Sequence, residues 1–143
     1  MIIYERHLYT MKDETYSLNL NLHCGMTVIL GDSGEGKTFM CSQIKKIQER
    51  STIINTKDIL VVDNYQLFTK CYLFDVSLII FDKTEVYCRD NDLVDILQKC
   101  GNKDTLIFYR GECFLPYLPS SVAFLHTAKN GNIIEQSITY LGE

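Results

Sequence analysis

The sequence predicts an α/β fold, with a mainly parallel sheet, helices on both faces, and antiparallel β additions at the N- and C-terminal ends. Three observations point there. Met26-Thr27-Val28-Ile29-Leu30 is a short apolar run that leads straight into Gly31-Asp32-Ser33-Gly34-Glu35-Gly36-Lys37-Thr38. Phe39, Met40, Ile44 and Ile47 then recur at helical spacing, so the order is strand, glycine loop, helix. Two further apolar runs, Ile59–Val62 and Leu78–Phe81, read as buried strands and are each followed by an acid, Asp63 and Asp82. Near the N-terminus the pattern changes to a period of two, which marks a half-buried antiparallel strand, and an Asn-Gly hairpin signal stands near the C-terminus.

In chain order, residues 2–9 and 15–22 read as two strands around the polar turn Met11-Lys12-Asp13-Glu14. In the second strand Tyr16, Leu18, Leu20 and Leu22 alternate with Ser17, Asn19 and Asn21, and Gly25 turns the chain into the run at Met26. After the first helix, Thr52–Asn55 and Ile59–Asp63 read as strands, and Tyr65–Phe74 is ambiguous, with Leu67, Phe68, Cys71 and Tyr72 on one helical face. Asp90 and Asp92 are placed to cap a helix over Leu93, Val94, Ile96, Leu97 and Cys100, which Gly101 stops. Thr105–Tyr109 is another apolar strand. Ser121–Thr127 and Ile133–Tyr140 are strands joined through Asn130-Gly131, a strong hairpin signal. The whole chain, residues 1–143, reads as a single domain.

The stretch Gly31 to Thr38 satisfies G-x-x-x-x-G-K-[ST], with Gly34 as a third glycine. Glycines let successive backbone N–H groups turn into one concavity that fits phosphate oxygens, and the following helix N-terminus adds its dipole. Lys37 is then the charge that reaches the β/γ-phosphates, and the Thr38 hydroxyl can ligate Mg²⁺. The residues expected to hold nucleotide are Gly31, Asp32, Ser33, Gly34, Glu35, Gly36, Lys37, Thr38 and Phe39, with ATP and Mg²⁺ as the ligands. A phosphate site of this kind needs an acid near the metal, at the end of a neighbouring strand. Asp82 and Asp63 both qualify; Asp82 is preferred for its wholly apolar strand and the Lys83-Thr84-Glu85 passage behind it. Glu85, as base or water-orienting group, and Arg110, as charge stabiliser, are the candidate catalytic residues for hydrolysis. Glu85 reads equally well as an exposed acid at a helix start, and Arg110 as a solvated strand end.

Composition sets the surroundings of this site. Of the 143 residues 46% are hydrophobic and 22% charged, enough for a real core in an ordinary soluble domain. No apolar run approaches the roughly 18 residues of a membrane span, and the N-terminus does not read as a secretory signal. The net charge of −4 does not indicate a general nucleic-acid-binding surface. The six cysteines include no C-x-x-C pair and the three histidines are scattered, so a zinc cluster is not expected and the thiols read as free, in a reducing cytoplasm.

With these residues placed, the chain resembles the nucleotide-binding core of ABC and SMC-type ATPases, stripped down to a P-loop NTPase-like sheet. The carriers are the β opening through Leu18-Asn19-Leu20-Asn21-Leu22, the Walker A loop Gly31–Thr38, the Walker B-like Leu78-Ile79-Ile80-Phe81-Asp82, and the closing hairpin with Asn130-Gly131. The resemblance implies that Tyr9, 22 residues before Gly31, stacks on adenine. It implies nucleotide binding, while hydrolysis by the family's dimer mechanism does not carry over, so Glu85 would have to act from a different place or ATP would be turned over slowly. The departures are equally specific: no L-S-G-G-Q-like signature, too little chain between the Walker motifs for a helical subdomain, Lys83 after Asp82 where a glutamate belongs, and Tyr109-Arg110 in place of a switch histidine.

The expectation is therefore an ATP-binding protein with weak or partner-stimulated ATPase activity, or else a non-hydrolysing module whose partner reads the bound nucleotide. A small-molecule kinase is the less favoured alternative, because the only lid segment, 110–120, carries one arginine. A GTPase is rejected. Asn102-Lys103-Asp104 lacks the spacer residue of N-K-x-D and precedes a strand where it should follow one.

Overall fold

The computed structural model describes residues 5–30, 36–50, 58–109 and 121–143. The alternating N-terminal segments form β1 (Arg6–Lys12) and β2 (Tyr16–His23), paired antiparallel from Arg6↔His23 to Lys12↔Ser17. Met11 and Lys12, expected in the turn, belong to β1 instead. The turn is tighter because the Asp13 carboxylate accepts the Thr15 N–H at 2.9 Å and the Asp13 N–H donates to the Tyr16 carbonyl at 2.9 Å. Tyr16, Leu18, Leu20 and Leu22 are all buried along one face of β2.

Gly25, at φ +95°, turns the chain into β3 (Met26–Leu30), and α1 (Lys37–Arg50) follows with Met40, Cys41, Ile44 and Ile47 buried. Next come β4 (Ile59–Val62) and α2 (Tyr65–Lys70), which continues as a 3-10 turn over Cys71–Leu73. The ambiguous stretch is thus helical, because the Asn64 side chain caps it by accepting the Leu67 N–H at 2.9 Å. β5 (Leu78–Phe81) is buried at every position, as its unbroken apolar run requires. The one-turn α3 (Thr84–Tyr87) leads to α4 (Asp90–Lys99), where the Asp92 carboxylate accepts the Arg89 N–H at 3.3 Å. β6 (Asp104–Tyr109), β7 (Val122–Asn130) and β8 (Ile133–Tyr140) complete the order, and Gly131 at φ +64° makes the β7–β8 turn. The strand expected over Thr52–Asn55 lies outside the described residues.

The eight strands among the described residues form one sheet in the order β1-β2-β8-β7-β3-β6-β5-β4. The junctions β2–β8, β7–β3, β3–β6, β6–β5 and β5–β4 are parallel, while the two longest ladders, β1–β2 and β7–β8, are antiparallel. This corrects the expected mainly parallel sheet with helices on both faces. The described residues are 44% strand and 33% helix, and the sheet is a curled, mixed half-barrel. The antiparallel strands are not additions at its ends; they make up half of it.

The physical cause lies in the apolar face of β1 and β2, which has to be buried and, among the described residues, packs against α1. Tyr9, Met11, Tyr16, Leu18, Leu20 and Leu22 join Met40, Cys41, Ile44 and Ile47 of α1 in one core, with Ile29, Val61, Ile80 and Phe108 from β3, β4, β5 and β6. The ordinary right-handed twist of the sheet lets it curl far enough for this. Each of the three β2 leucines, at 0–1% exposure, contributes about 1.5–3 kcal/mol by burial. A second cluster joins Phe68, Cys71, Leu93, Ile96 and Cys100 to Val62, Ile79, Phe81 and Ile107.

Candidate functional site

The glycine loop begins where β3 ends and finishes where α1 starts. Gly31, Asp32, Ser33, Gly34 and Glu35 lie outside the described residues, as does Arg110; Gly36, Lys37, Thr38 and Phe39 are described. Gly36 sits at φ +95°, and its carbonyl accepts two bonds: the Met40 N–H at 2.8 Å, which opens α1, and Nε2 of Gln136 at 3.0 Å. Gln136, on β8, is 1% exposed. Its Nε2 also donates to Thr127 Oγ1 at 3.0 Å, and its Oε1 accepts the Tyr16 hydroxyl at 2.5 Å. A β-carbon at Gly36 would lie 2.6 Å from Gln136 Nε2, so glycine is required there by space as well as by backbone angle.

Lys37, Cys41 and Lys45 follow at intervals of four and so share one stripe of α1. The two strand-terminal acids meet this stripe. Asp63 follows β4 and is ion-paired to Lys45; its carboxyl is held below the usual range, first by the hydrogen bond from Lys45. Asp82 follows β5, beside Asp63, with its N–H donating to the Val62 carbonyl at 2.8 Å. Its carboxyl is only 3% exposed and is pushed up by burial, with the charge and backbone N–H of Lys83 partly offsetting that. The Cys41 thiol, on the same stripe of α1 as Lys37, is pushed up in turn, by its own burial and then by the charge of the nearby Asp82. Asp82 Oδ1 has no hydrogen-bond partner among the described residues. Lys83, next in the chain, holds the left-handed conformation at φ 56°.

The remaining expected residues are dispersed. Lys37 is buried at 2% exposure, whereas Thr38 is exposed at the start of α1. The Phe39 ring packs edge-on against Tyr16 at 5.8 Å between centroids. Glu85 is an exposed residue in the first turn of α3. Tyr9 is not brought to the loop. Its hydroxyl donates to Asp104 Oδ2 at 2.6 Å, at the first residue of β6, while the loop leaves β3 level with Tyr109 at the last residue of β6. Five residues of strand separate the two ends, roughly 16 Å at the usual rise.

That opposite end holds a second polar cluster that the sequence did not reveal. Asp104, 1% exposed, accepts from the Tyr9 hydroxyl, lies 2.6 Å from His7 Nδ1, and takes the Gly25 N–H on Oδ1 at 2.9 Å. The hydrogen bond and charge of Asp104 push the His7 imidazole up. A cavity of about 660 Å³ opens beside it, lined by Arg6, His7, Tyr9, Asp58, Ser77 and Lys103. Gln136, His7 and Asp104 stand in no motif, and only the strand pairing brings them to their partners.

No family model matches the chain, and no curated protein matches it. Among solved structures, one described as a model of ribosome-bound archaeal Pelota and ABCE1 aligns at 10% identity with a TM-score of 0.45, over 96% of this chain and 34% of that one. The chain thus spans about a third of the length of the chain it aligns with. At that similarity, and with a curled mixed sheet, the resemblance to an ABC/SMC-type P-loop core is not upheld. No helix among the described residues is long and apolar enough to cross a membrane.

Proposed function

We propose that the chain binds Mg²⁺-ATP through its glycine loop. The observation that carries this reading is Asp82, a buried carboxylate whose Oδ1 has no hydrogen-bond partner among the described residues, set against the helix that begins with Lys37-Thr38. A charged oxygen in that position is costly unless it is protonated or meets a cation. Its donor set suits magnesium, a hard ion that takes carboxylate, hydroxyl and phosphate oxygens. Thr38 and Asp82 would hold the metal, which supplies neutralising charge at the β- and γ-phosphates. The glycine-loop N–H groups and Lys37 would hold the phosphates themselves.

Slow or partner-stimulated hydrolysis, with Glu85 orienting water and Arg110 stabilising charge, is part of this reading. A second reading, nucleotide-dependent binding without hydrolysis, is favoured by the place of Glu85, exposed on a helix of a single turn. In both readings a protein partner or a second copy completes the work. A cytoplasmic setting is consistent with the free thiols of Cys24, Cys41, Cys71 and Cys100.

The test is nucleotide binding and phosphate release, with ATP and with GTP, for wild type, Lys37→Ala, Asp82→Asn and Glu85→Gln. Binding of Mg²⁺-ATP that is lost in Lys37→Ala, and loses its magnesium dependence in Asp82→Asn, is the expected result. Unaltered ATP affinity in Lys37→Ala overturns the proposal. Phosphate release that disappears in Glu85→Gln selects the ATPase reading; no release from wild type, alone or with a partner, selects the binding module.

A further inference from the structure

At the other end of the sheet, three residues present different metal-binding atoms to one point. Cys24 extends the β1–β2 ladder by one step: its N–H donates to the Glu5 carbonyl at 3.1 Å, just beyond the Arg6↔His23 pair. Glu5 and Cys24 therefore stand opposite each other, and His7, two residues on from Glu5, lies on the same face. A carboxylate oxygen of Glu5, a ring nitrogen of His7 and Sγ of Cys24 all lie within 4.8 Å of one another. His7 Nε2 is 3.4 Å from Cys24 Sγ and 3.8 Å from Glu5 Oε1. A tetrahedral zinc with ordinary Zn–S, Zn–N and Zn–O bonds needs its ligand atoms about 3.4–3.6 Å apart; the His7–Cys24 distance meets this, the His7–Glu5 distance slightly exceeds it, and Glu5 and Cys24 lie within 4.8 Å of each other.

A second observation concerns the other ring nitrogen. Asp104 Oδ2 lies 2.6 Å from His7 Nδ1, and Asp104 is itself held by the Tyr9 hydroxyl and the Gly25 N–H. This is the carboxylate–histidine arrangement that fixes the tautomer and aim of a metal-binding imidazole, leaving Nε2 as the ligand atom.

We propose that Glu5, His7 and Cys24 form a binding site for a borderline divalent cation, Zn²⁺ in particular, with Asp104 as the residue that orients His7. A thiolate beside an imidazole and a carboxylate selects zinc over magnesium or calcium, which take oxygen ligands. Three protein ligands leave the fourth position to water, and all three side chains are exposed, so solvent reaches it. The thiol proton of Cys24 is released to solvent on binding. The site is independent of the glycine loop.

The test uses the full chain, reduced, stripped of metal and free of nucleotide. Zn²⁺ is titrated calorimetrically, and Co²⁺ is followed by its thiolate-to-metal charge-transfer absorption. One equivalent of Zn²⁺ and a charge-transfer band are expected for wild type. Cys24→Ser abolishes the band and weakens Zn²⁺ binding at least about tenfold, and His7→Ala does the same; Asp104→Asn weakens it by about 10–100-fold. Because Asp104 also anchors Gly25 and Tyr9, that variant is read only where its circular dichroism matches wild type. The exposed Cys24→Ser decides the matter. Wild-type Zn²⁺ affinity and an intact cobalt band in Cys24→Ser overturn the assignment, as does the absence of any bound equivalent in wild type.

Discussion

Gln136 Nε2 lies 3.0 Å from the carbonyl oxygen of Gly36, so a buried amide on β8 holds the point where the glycine loop becomes α1. Its two amide hydrogens are both used, on Gly36 and Thr127, and its oxygen takes the Tyr16 hydroxyl. Gln136→Leu removes these bonds and leaves the Tyr16 hydroxyl, on a residue 1% exposed, without its acceptor. A loss of about 1–3 kcal/mol is expected from an unsatisfied buried group, read as a shift in the denaturant midpoint at unchanged slope. Nucleotide affinity should fall with it, because the loop end loses its tether.

Gly36→Ala tests the same contact from the other side. A left-handed backbone angle costs a non-glycine residue about 1–3 kcal/mol, and the added carbon would lie 2.6 Å from Gln136 Nε2. Pairing it with Gln136→Ala relieves the approach to Nε2 but leaves the 2.8 Å approach to Thr127 Oγ1 and the backbone strain. The double variant should therefore be more stable than the sum of the two singles requires, by about 0.5–3 kcal/mol in a double-mutant cycle. Simple additivity would show that the approach to Nε2 plays no part.

The two acids facing α1 have opposite pH signatures. Asp63 is held below its ordinary value by Lys45, so below about pH 3.9 the unfolded chain binds more protons and stability falls as pH drops through the folded value. Asp82 is raised by burial, so from about pH 3.9 up to its raised value the folded chain holds the extra proton and stability falls as pH rises. Denaturant titrations without divalent cation, from acid to neutral pH, should show Asp63→Asn losing the first dependence and Asp82→Asn losing the second. Asp82→Asn should gain on wild type toward neutral pH. The same sign of slope change in both variants would contradict the placement.

Ile44 lies at 0% exposure under the curl of the sheet, between α1 and the strands. Ile44→Ala should cost about 2–5 kcal/mol through lost burial and the cavity left behind. Val86, 74% exposed on α3, should tolerate Val86→Ala within about 0.5 kcal/mol. Thermal denaturation of the two side by side distinguishes a packed α1 interface from a loose one.

Sequence by itself determined the local elements. The apolar run at Met26–Leu30 and the helical spacing of Met40, Ile44 and Ile47 became β3 and α1, because the periodicity of apolar residues sets which face must be buried. It also singled out Asp63 and Asp82, since an acid at the end of an apolar strand is visible in one dimension. What periodicity cannot specify is which strand edge pairs with which. The parallel β2–β8 junction joins Tyr16 to Ile134, and that one pairing turns an expected flanking hairpin into half of a curled sheet. The same pairing brings Gln136 to Gly36, and the neighbouring β1–β2 register brings Glu5 and His7 to Cys24. Tyr9, in step with the expected loop by sequence distance, ends at Asp104 because the direction of β1 carries it to the far end of β6. Contacts such as these, across 90 residues or more, were decided only by the tertiary structure, where the apolar faces had to find cover together.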